Sequence, residues 1–156
     1  MPAFSFVVPG VPKSERKHTI RMGERAARVD TKDRKDWKVH VRACIQQALP
    51  ADWKAVDGPV ALTIRFFKER PKSYPKRPTK GKPFPFDWIT KPDATNVCKL
   101  IEDCMNDMHV WHDDAQVNEQ HIYKAFAEVP RTEVTIEWGD HPQSPGKSDG
   151  SEQMTL

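Results

Sequence analysis

The stretch VALTIRFF, residues 60–67, decides the fold. Its large apolar residues alternate with smaller or polar ones, and this period of two is typical of a strand with one buried face. The strand runs into a basic segment, residues 68–85, whose prolines lack the backbone N–H that a strand or helix interior needs. The boundary at residue 68 therefore separates a core strand from a long surface segment.

Two amphipathic helices lie on either side of this strand in the chain. The first begins after a cap at Asp30 or Thr31 and ends before Pro50. Its apolar residues recur at helical spacing: Trp37, Val41, Cys44, Ile45, Ala48 and Leu49. The second helix shows intervals of three and four: Val97, Leu100, Ile101, Cys104, Met105 and Met108. Each helix therefore has one apolar stripe to bury against a core.

Three further strands are predicted, at residues 4–8, 116–126 and 132–138. Residues 13–28, in contrast, are polar and basic and show no period. The order strand, helix, strand, helix, strand, strand predicts an α+β fold in which a mixed β-sheet is covered by two main helices.

Length and composition favour one domain. A chain of 156 residues with 37% hydrophobic residues is long enough to bury a single core. We expect residues 1–138 to form that domain. Residues 139–156 have almost nothing to bury, so we expect a disordered tail there.

Three cysteines at wide spacing fit neither a disulfide framework nor a zinc knuckle. The sequence contains no apolar run of the length that spans a membrane, and it has no signal-peptide pattern. We therefore expect a cytoplasmic protein with no membrane partner.

The second helix carries a polar face opposite its apolar stripe, formed by Thr95, Lys99, Glu102 and Asn106. Such a face can be simply solvated, with Lys99 and Glu102 as an ion pair. Asp93 lies at the start of this helix, where free amides and the dipole favour a carboxylate. Asp93 is therefore either a helix cap or a functional acid.

Two adjacent acids, Asp113 and Asp114, precede the strand at residue 116. Their charges repel unless a positive charge lies between them and their neighbours. Hard carboxylate oxygens suit Mg²⁺ or Mn²⁺. A zinc site at His109 and His112 is a weaker alternative, because no third soft ligand is evident.

The strings KPDATNVCKLIEDCMND and WHDDAQVNEQHIYK, with the opening FVVPGVPKSERK, resemble the RusA family of Holliday junction resolvases. The resemblance implies a homodimeric, Mg²⁺-dependent nuclease that cuts branched DNA, encoded by a phage or prophage. By position, Asp93 and Asp114 match the first and third catalytic aspartates, Lys99 matches the motif lysine, and Asp113 is the acidic neighbour. Asp93, Asp114 and Asp113 are the implied metal ligands.

The family's second catalytic aspartate falls on Thr95, which carries no charge. Three interpretations stay open. Asp93 and Asp114 act with water alone, another carboxylate substitutes, or the chain binds branched DNA without cutting it. Glu102 shares the helix face of Thr95 and is the better substitute, whereas Asp103 is rotated by about 80° from that face.

The basic segment suggests a polyanion as partner. Residues 68–82 hold seven basic side chains against the single acid Glu69, while the whole chain has a net charge of only +3. Tyr74, Phe84 or Phe86 could stack on bases. The expected DNA contacts are Lys13, Arg16, Lys72, Lys76, Arg77, Lys80, Lys82 and Lys124. The alternative is a solvated loop that only keeps the protein soluble.

Overall fold

The computed structural model describes residues 2–14, 18–29 and 31–139. The elements in chain order are β1 (Ala3–Pro9), β2 (His18–Met22), β3 (Arg25–Val29), α1 (Lys32–Ala48), β4 (Val60–Glu69), α2 (Ala94–Asp107), β5 (Val117–Ala127) and β6 (Arg131–Trp138). One 3-10 turn, Asp114–Gln116, precedes β5. The predicted α+β class and the predicted sheet strands and helices are confirmed. Most of the tail predicted at residues 139–156 lies outside the described residues.

The hairpin β2–β3 was not predicted, because residues 13–28 are polar and basic and no strand was assigned to them. These two strands pair only with each other, as a separate antiparallel sheet. Gly23 has φ 68°, which a tight turn between two strands needs and which other residues rarely adopt. The Gly–Glu step at this turn was the available signal, because the apolar alternation in β2 is limited to Ile20 and Met22.

The four-stranded sheet has the order β1-β6-β4-β5. β6 pairs antiparallel with β1 and with β4, whereas β4 and β5 are parallel, so the sheet is mixed as predicted. Val60, Leu62, Ile64 and Phe66 alternate along β4 and are buried. They join one hydrophobic core with the apolar stripe of α2 and with Trp37, Val41 and Ile45 of α1, whereas Ala48 of the predicted α1 stripe is exposed.

The parallel pair β4–β5 determines where the candidate site lies. Parallel neighbours need a long crossover, and here residues 70–116 supply it. This crossover contains the basic segment, α2 and the 3-10 turn, so all the motif residues lie on it or on β5. In the described part of the chain, no helix is long and apolar enough to cross a membrane.

Candidate active site

Asp93 occupies the N-cap position of α2 with extended backbone angles, φ −67° and ψ 150°. Its side chain makes no capping hydrogen bond, although a side-chain oxygen at this position normally accepts from the second or third helical N–H. The carboxylate is 58% exposed, and Oδ1 lies 3.9 Å from Nζ of Lys91. Capping therefore does not account for Asp93, and its carboxylate can take a ligand.

The turn that carries Asp113 and Asp114 is held by Gln116. Its Oε1 accepts from the backbone N–H groups of His112 and Asp113, both at 2.8 Å. Its Nε2 donates to the carbonyls of Val56 at 2.8 Å and Gly58 at 2.9 Å. This side chain therefore ties the acidic turn to the chain that leads into β4.

Asp113 closes the same turn, because its Oδ1 accepts from the backbone N–H of Ala115 at 2.9 Å. This bond lowers the pKa of Asp113, and a side-chain hydrogen bond with Asp114 lowers it further. Asp113 and Gln116 together form a capping box. One oxygen of Asp113 is thus engaged in holding the turn, and its neighbour Asp114 is the acid that faces α2.

Lys99 connects α2 to the acidic turn. Its Nζ lies 3.0 Å from Oδ1 of Asp103 and 3.5 Å from Oδ2 of Asp114. The hydrogen bond to Asp103 raises the pKa of Lys99, and the charge of Asp114 adds to that effect. Lys99 therefore stays charged beside Asp114. Within α2, Lys99 pairs with Asp103. The ion pair expected for a solvated helix face was the one with Glu102.

Glu102 lies on α2, close enough to Asp114 for the two carboxyl groups to interact electrostatically. Burial raises the pKa of Glu102, and the negative charge of Asp114 raises it as well. Its Oε1 accepts from Sγ of Cys98 at 3.5 Å, and that sulfur accepts from Nε2 of Gln120 at 3.4 Å. Thr95, by contrast, is an exposed residue in the first turn of α2. Glu102 is therefore a partly buried carboxyl group near Asp114.

Carboxylates outnumber cations in the described surroundings of Asp114. Asp113 hydrogen-bonds with Asp114, Glu102 lies near Asp114 and Lys99, and Asp103 pairs with the Lys99 ammonium. Among the described residues, no three His, Cys, Asp or Glu side chains lie close enough together to hold a metal ion. Mg²⁺, however, is commonly bound by one or two carboxylates, with water and substrate phosphate completing its shell. Asp93 and Asp114 each offer carboxylate oxygens of the type that such an ion binds.

The histidines of the zinc alternative do not converge on a common ligand set in the described chain. Nε2 of His112 pairs with Oδ1 of Asp57 at 2.7 Å. His109 follows the end of α2 with φ 55°.

The basic segment is exposed along most of its length. Its expected DNA contacts are all exposed: Lys72, Lys76, Arg77, Lys80 and Lys82. Lys13 is half-buried, and Arg16 lies outside the described residues. The segment thus presents a basic surface on the part of the chain that leads to the start of α2.

The aromatic residues of this segment divide into two groups. Tyr74 is half-buried, packs edge-on against Phe126 at 5.4 Å and has Nζ of Lys82 4.5 Å from the centre of its ring. Phe84 and Phe86 are 60% and 52% exposed. Phe84 and Phe86 are therefore available for stacking, whereas Tyr74 packs against Phe126 and attaches the segment to β5.

Lys124 belongs to β5, and its side chain reaches the residues just before α2. Its Nζ donates to the carbonyls of Thr90 at 2.8 Å and Pro92 at 2.6 Å. The same ammonium lies 4.6 Å from the centre of the Trp88 ring. Sequence reasoning identified Lys124, but as a DNA contact, and nothing in the sequence indicated its two carbonyl partners.

Two comparisons with known proteins concern the family to which the chain belongs. The family model described as "Endodeoxyribonuclease RusA" matches residues 9–137. Nucleases of this family act on branched DNA and generally depend on a divalent metal. The chain is also 30% identical over 141 residues to "Uncharacterized protein YqaN" of Bacillus subtilis (strain 168), covering 87% of this chain and 96% of that protein. The chain therefore belongs to the RusA endodeoxyribonuclease family.

Proposed function

We propose that this protein is a Mg²⁺-dependent (or Mn²⁺-dependent) endonuclease that resolves Holliday junctions or other branched DNA by phosphodiester hydrolysis. The observation that carries the proposal is the uncapped carboxylate of Asp93 on the helix whose Lys99 contacts Asp114. The proposal assigns these two carboxylates and the Lys99 ammonium to one site, a combination that suits the cleavage of a phosphodiester.

Asp93 and Asp114 would hold the divalent ion, and Asp113 supports them by fixing the turn. A bound Mg²⁺ or Mn²⁺ supplies Lewis-acid stabilisation of phosphate charge and activation of a water. Lys99 places a charged donor beside Asp114, where it can stabilise charge on the phosphate or orient the attacking water. The water oxygen would bond to phosphorus as one ester P–O bond breaks, and a proton from the water would end on the leaving oxygen, which leaves one strand end with a hydroxyl group and the other with the phosphate.

A homodimer suits this substrate. A four-way junction offers equivalent strands related by two-fold symmetry, and a two-fold dimer presents two active sites to two of them. The exposed basic segment of each subunit would follow one pair of arms.

A second candidate function is junction binding without cleavage. It is favoured by the first turn of α2, which carries no acidic residue where the family's second aspartate would lie. Cleavage of a synthetic four-way junction, titrated with Mg²⁺ and with Mn²⁺, separates the two functions. Metal-dependent nicking supports the nuclease, whereas binding with no nicking at any concentration of either metal supports the binding protein.

Thr95→Asp is expected to raise cleavage several-fold at low Mg²⁺ and much less at saturating Mg²⁺. The substitution adds an anionic ligand beside Asp93, and the helix dipole stabilises a carboxylate in the first turn, so the fold is kept. Initial rates across a Mg²⁺ titration measure this. Ala94→Asp is the matched control, since it adds the same charge in the same turn but about 100° around the helix.

Glu102→Gln completes the test. If Glu102 supplies the charge that Thr95 lacks, removing that charge slows cleavage in the native background and slows it less in the Thr95→Asp background. A double-mutant cycle gives this coupling directly. Equal effects in both backgrounds would show that Glu102 does not compensate for Thr95.

A further inference from the structure

We infer that Lys124 positions the Asp93 carboxylate and does not bind DNA; this inference rests on the proposed nuclease function. Asp93 lacks the side-chain capping bond that would otherwise fix its orientation. On the helix side of Asp93, its backbone carbonyl accepts from the N–H groups of Asn96 at 3.1 Å and Val97 at 3.2 Å, so what needs a further contact is the chain on the other side, which enters Asp93. The two carbonyls bound by Lys124 provide that contact.

The bond to Pro92 is the critical one. The Pro92 carbonyl belongs to the same planar peptide group as the nitrogen of Asp93. A hydrogen bond to that oxygen therefore fixes the orientation of the peptide group that precedes the Asp93 Cα. Nζ of Lys124 reaches this oxygen at 2.6 Å and the Thr90 carbonyl at 2.8 Å. Two of the three donors of the ammonium are thus directed at the chain that leads into Asp93.

The backbone around Lys124 is also held by hydrogen bonds. Its own carbonyl accepts from the backbone N–H of Trp88 at 3.4 Å, and the N–H of Phe126 donates to the carbonyl of Phe86 at 2.8 Å. The segment before α2 is therefore pinned along the edge of β5. The Trp88 ring, which is almost fully buried, lies 4.6 Å from Nζ of Lys124. Lys124 is held between a paired strand and the start of the helix.

The surroundings of Lys124 differ from those of the lysines suited to DNA. Burial lowers the pKa of Lys124, and the nearby charge of Asp93 opposes that shift. A phosphate would have to displace the two carbonyls to reach the ammonium. Lys80, in contrast, is exposed in the basic segment. The geometry thus separates a positioning lysine from the phosphate-binding ones.

The experiment compares Lys124→Met and Lys124→Arg with Lys80→Met in the full-length chain. Mn²⁺ affinity is measured on the protein alone by calorimetry. The salt dependence of four-way junction binding is measured without divalent metal, and thermal melting reports folding. Methionine approximates the length and apolar stem of lysine without its charge or donors. Arginine keeps the charge and donors in a different shape.

Lys124→Met is expected to weaken Mn²⁺ binding by about 10- to 100-fold, the usual effect of removing a group that orients a metal ligand. Its slope of log K against log salt stays at the wild-type value. Lys80→Met should do the reverse, with unchanged Mn²⁺ affinity and a slope lower by about 0.9. Lys124→Arg should bind Mn²⁺ with intermediate affinity, and it decides the question if Lys124→Met does not fold.

Unchanged Mn²⁺ affinity in the folded Lys124 variants would overturn the inference. So would a slope lowered by about 0.9 in Lys124→Met, because that change means that the native lysine neutralises a phosphate. A wild-type chain that neither binds Mn²⁺ nor cuts a junction would instead overturn the proposed function, and this inference with it. The two failures are therefore distinguishable.

Discussion

Replacing Asp93 or Asp114 by asparagine is expected to reduce junction cleavage by more than about 100-fold, since even an outer-shell partner of a metal ligand is worth about 10- to 100-fold. Each change removes one anionic oxygen from the proposed metal site, and the described residues contain no cluster of three ligating side chains that could replace it. Junction binding should persist or tighten, because the basic segment is untouched and a negative charge is removed. Single-turnover cleavage and metal-free binding assays measure the two effects.

The control for these variants is Asp36→Asn. Asp36 is an exposed acid on α1 that pairs with Lys32 at 2.9 Å, remote in sequence from the motif residues. This variant should cut as wild type does. If Asp93→Asn or Asp114→Asn also cuts at the wild-type rate in Mg²⁺, the assignment of the site is wrong.

Asp113→Asn separates support of the turn from ligation of the metal. An asparagine side-chain oxygen can still accept the Ala115 N–H bond that Asp113 accepts at 2.9 Å, so the turn should survive. Cleavage close to the wild-type rate would then assign Asp113 to the turn. A reduction comparable to that of Asp114→Asn would make Asp113 a ligand.

The main elements of this fold could be predicted because each one carries a strong period. The alternation along β4 and the stripe of α2 correspond to residues that are buried in the structure. The hairpin β2–β3 could not be found in this way, because its strands form a sheet separate from the main one. Its sequence signal was the turn at Gly23.

The candidate site was predictable as a set of residue types and not as a set of contacts. The acids and the lysine follow from the motif, but the choice of Asp103 as the partner of Lys99 depends on side-chain conformations that spacing does not fix. The role of Gln116 was visible in principle, because it lies three residues after Asp113 as a capping box requires. The two carbonyls held by Lys124 come from the crossover, and only the tertiary structure brings them to β5.

Neutralising four cations of the basic segment together should weaken junction binding by about 10³-fold at about 0.1 M salt. The four are Lys76, Arg77, Lys80 and Lys82, each changed to glutamine. All four are exposed, and each phosphate that is no longer neutralised lowers the slope of log K against log salt by about 0.9, or by up to about 3 to 4 in total. Binding of a labelled junction across a salt series measures the slope.

The control neutralises three cations that are also exposed but lie outside the basic segment, Lys32, Lys35 and Lys54, and the two variants are compared per charge removed. A wild-type slope is expected for it, because the effect depends on where the charges lie and not on net charge alone. Equal weakening of junction binding in both variants would indicate that the net positive charge of the protein attracts the DNA, and not the basic segment in particular. An unchanged slope in the segment variant would mean that these side chains are only solvated, and the DNA would then have to follow another surface past Asp93 and Asp114.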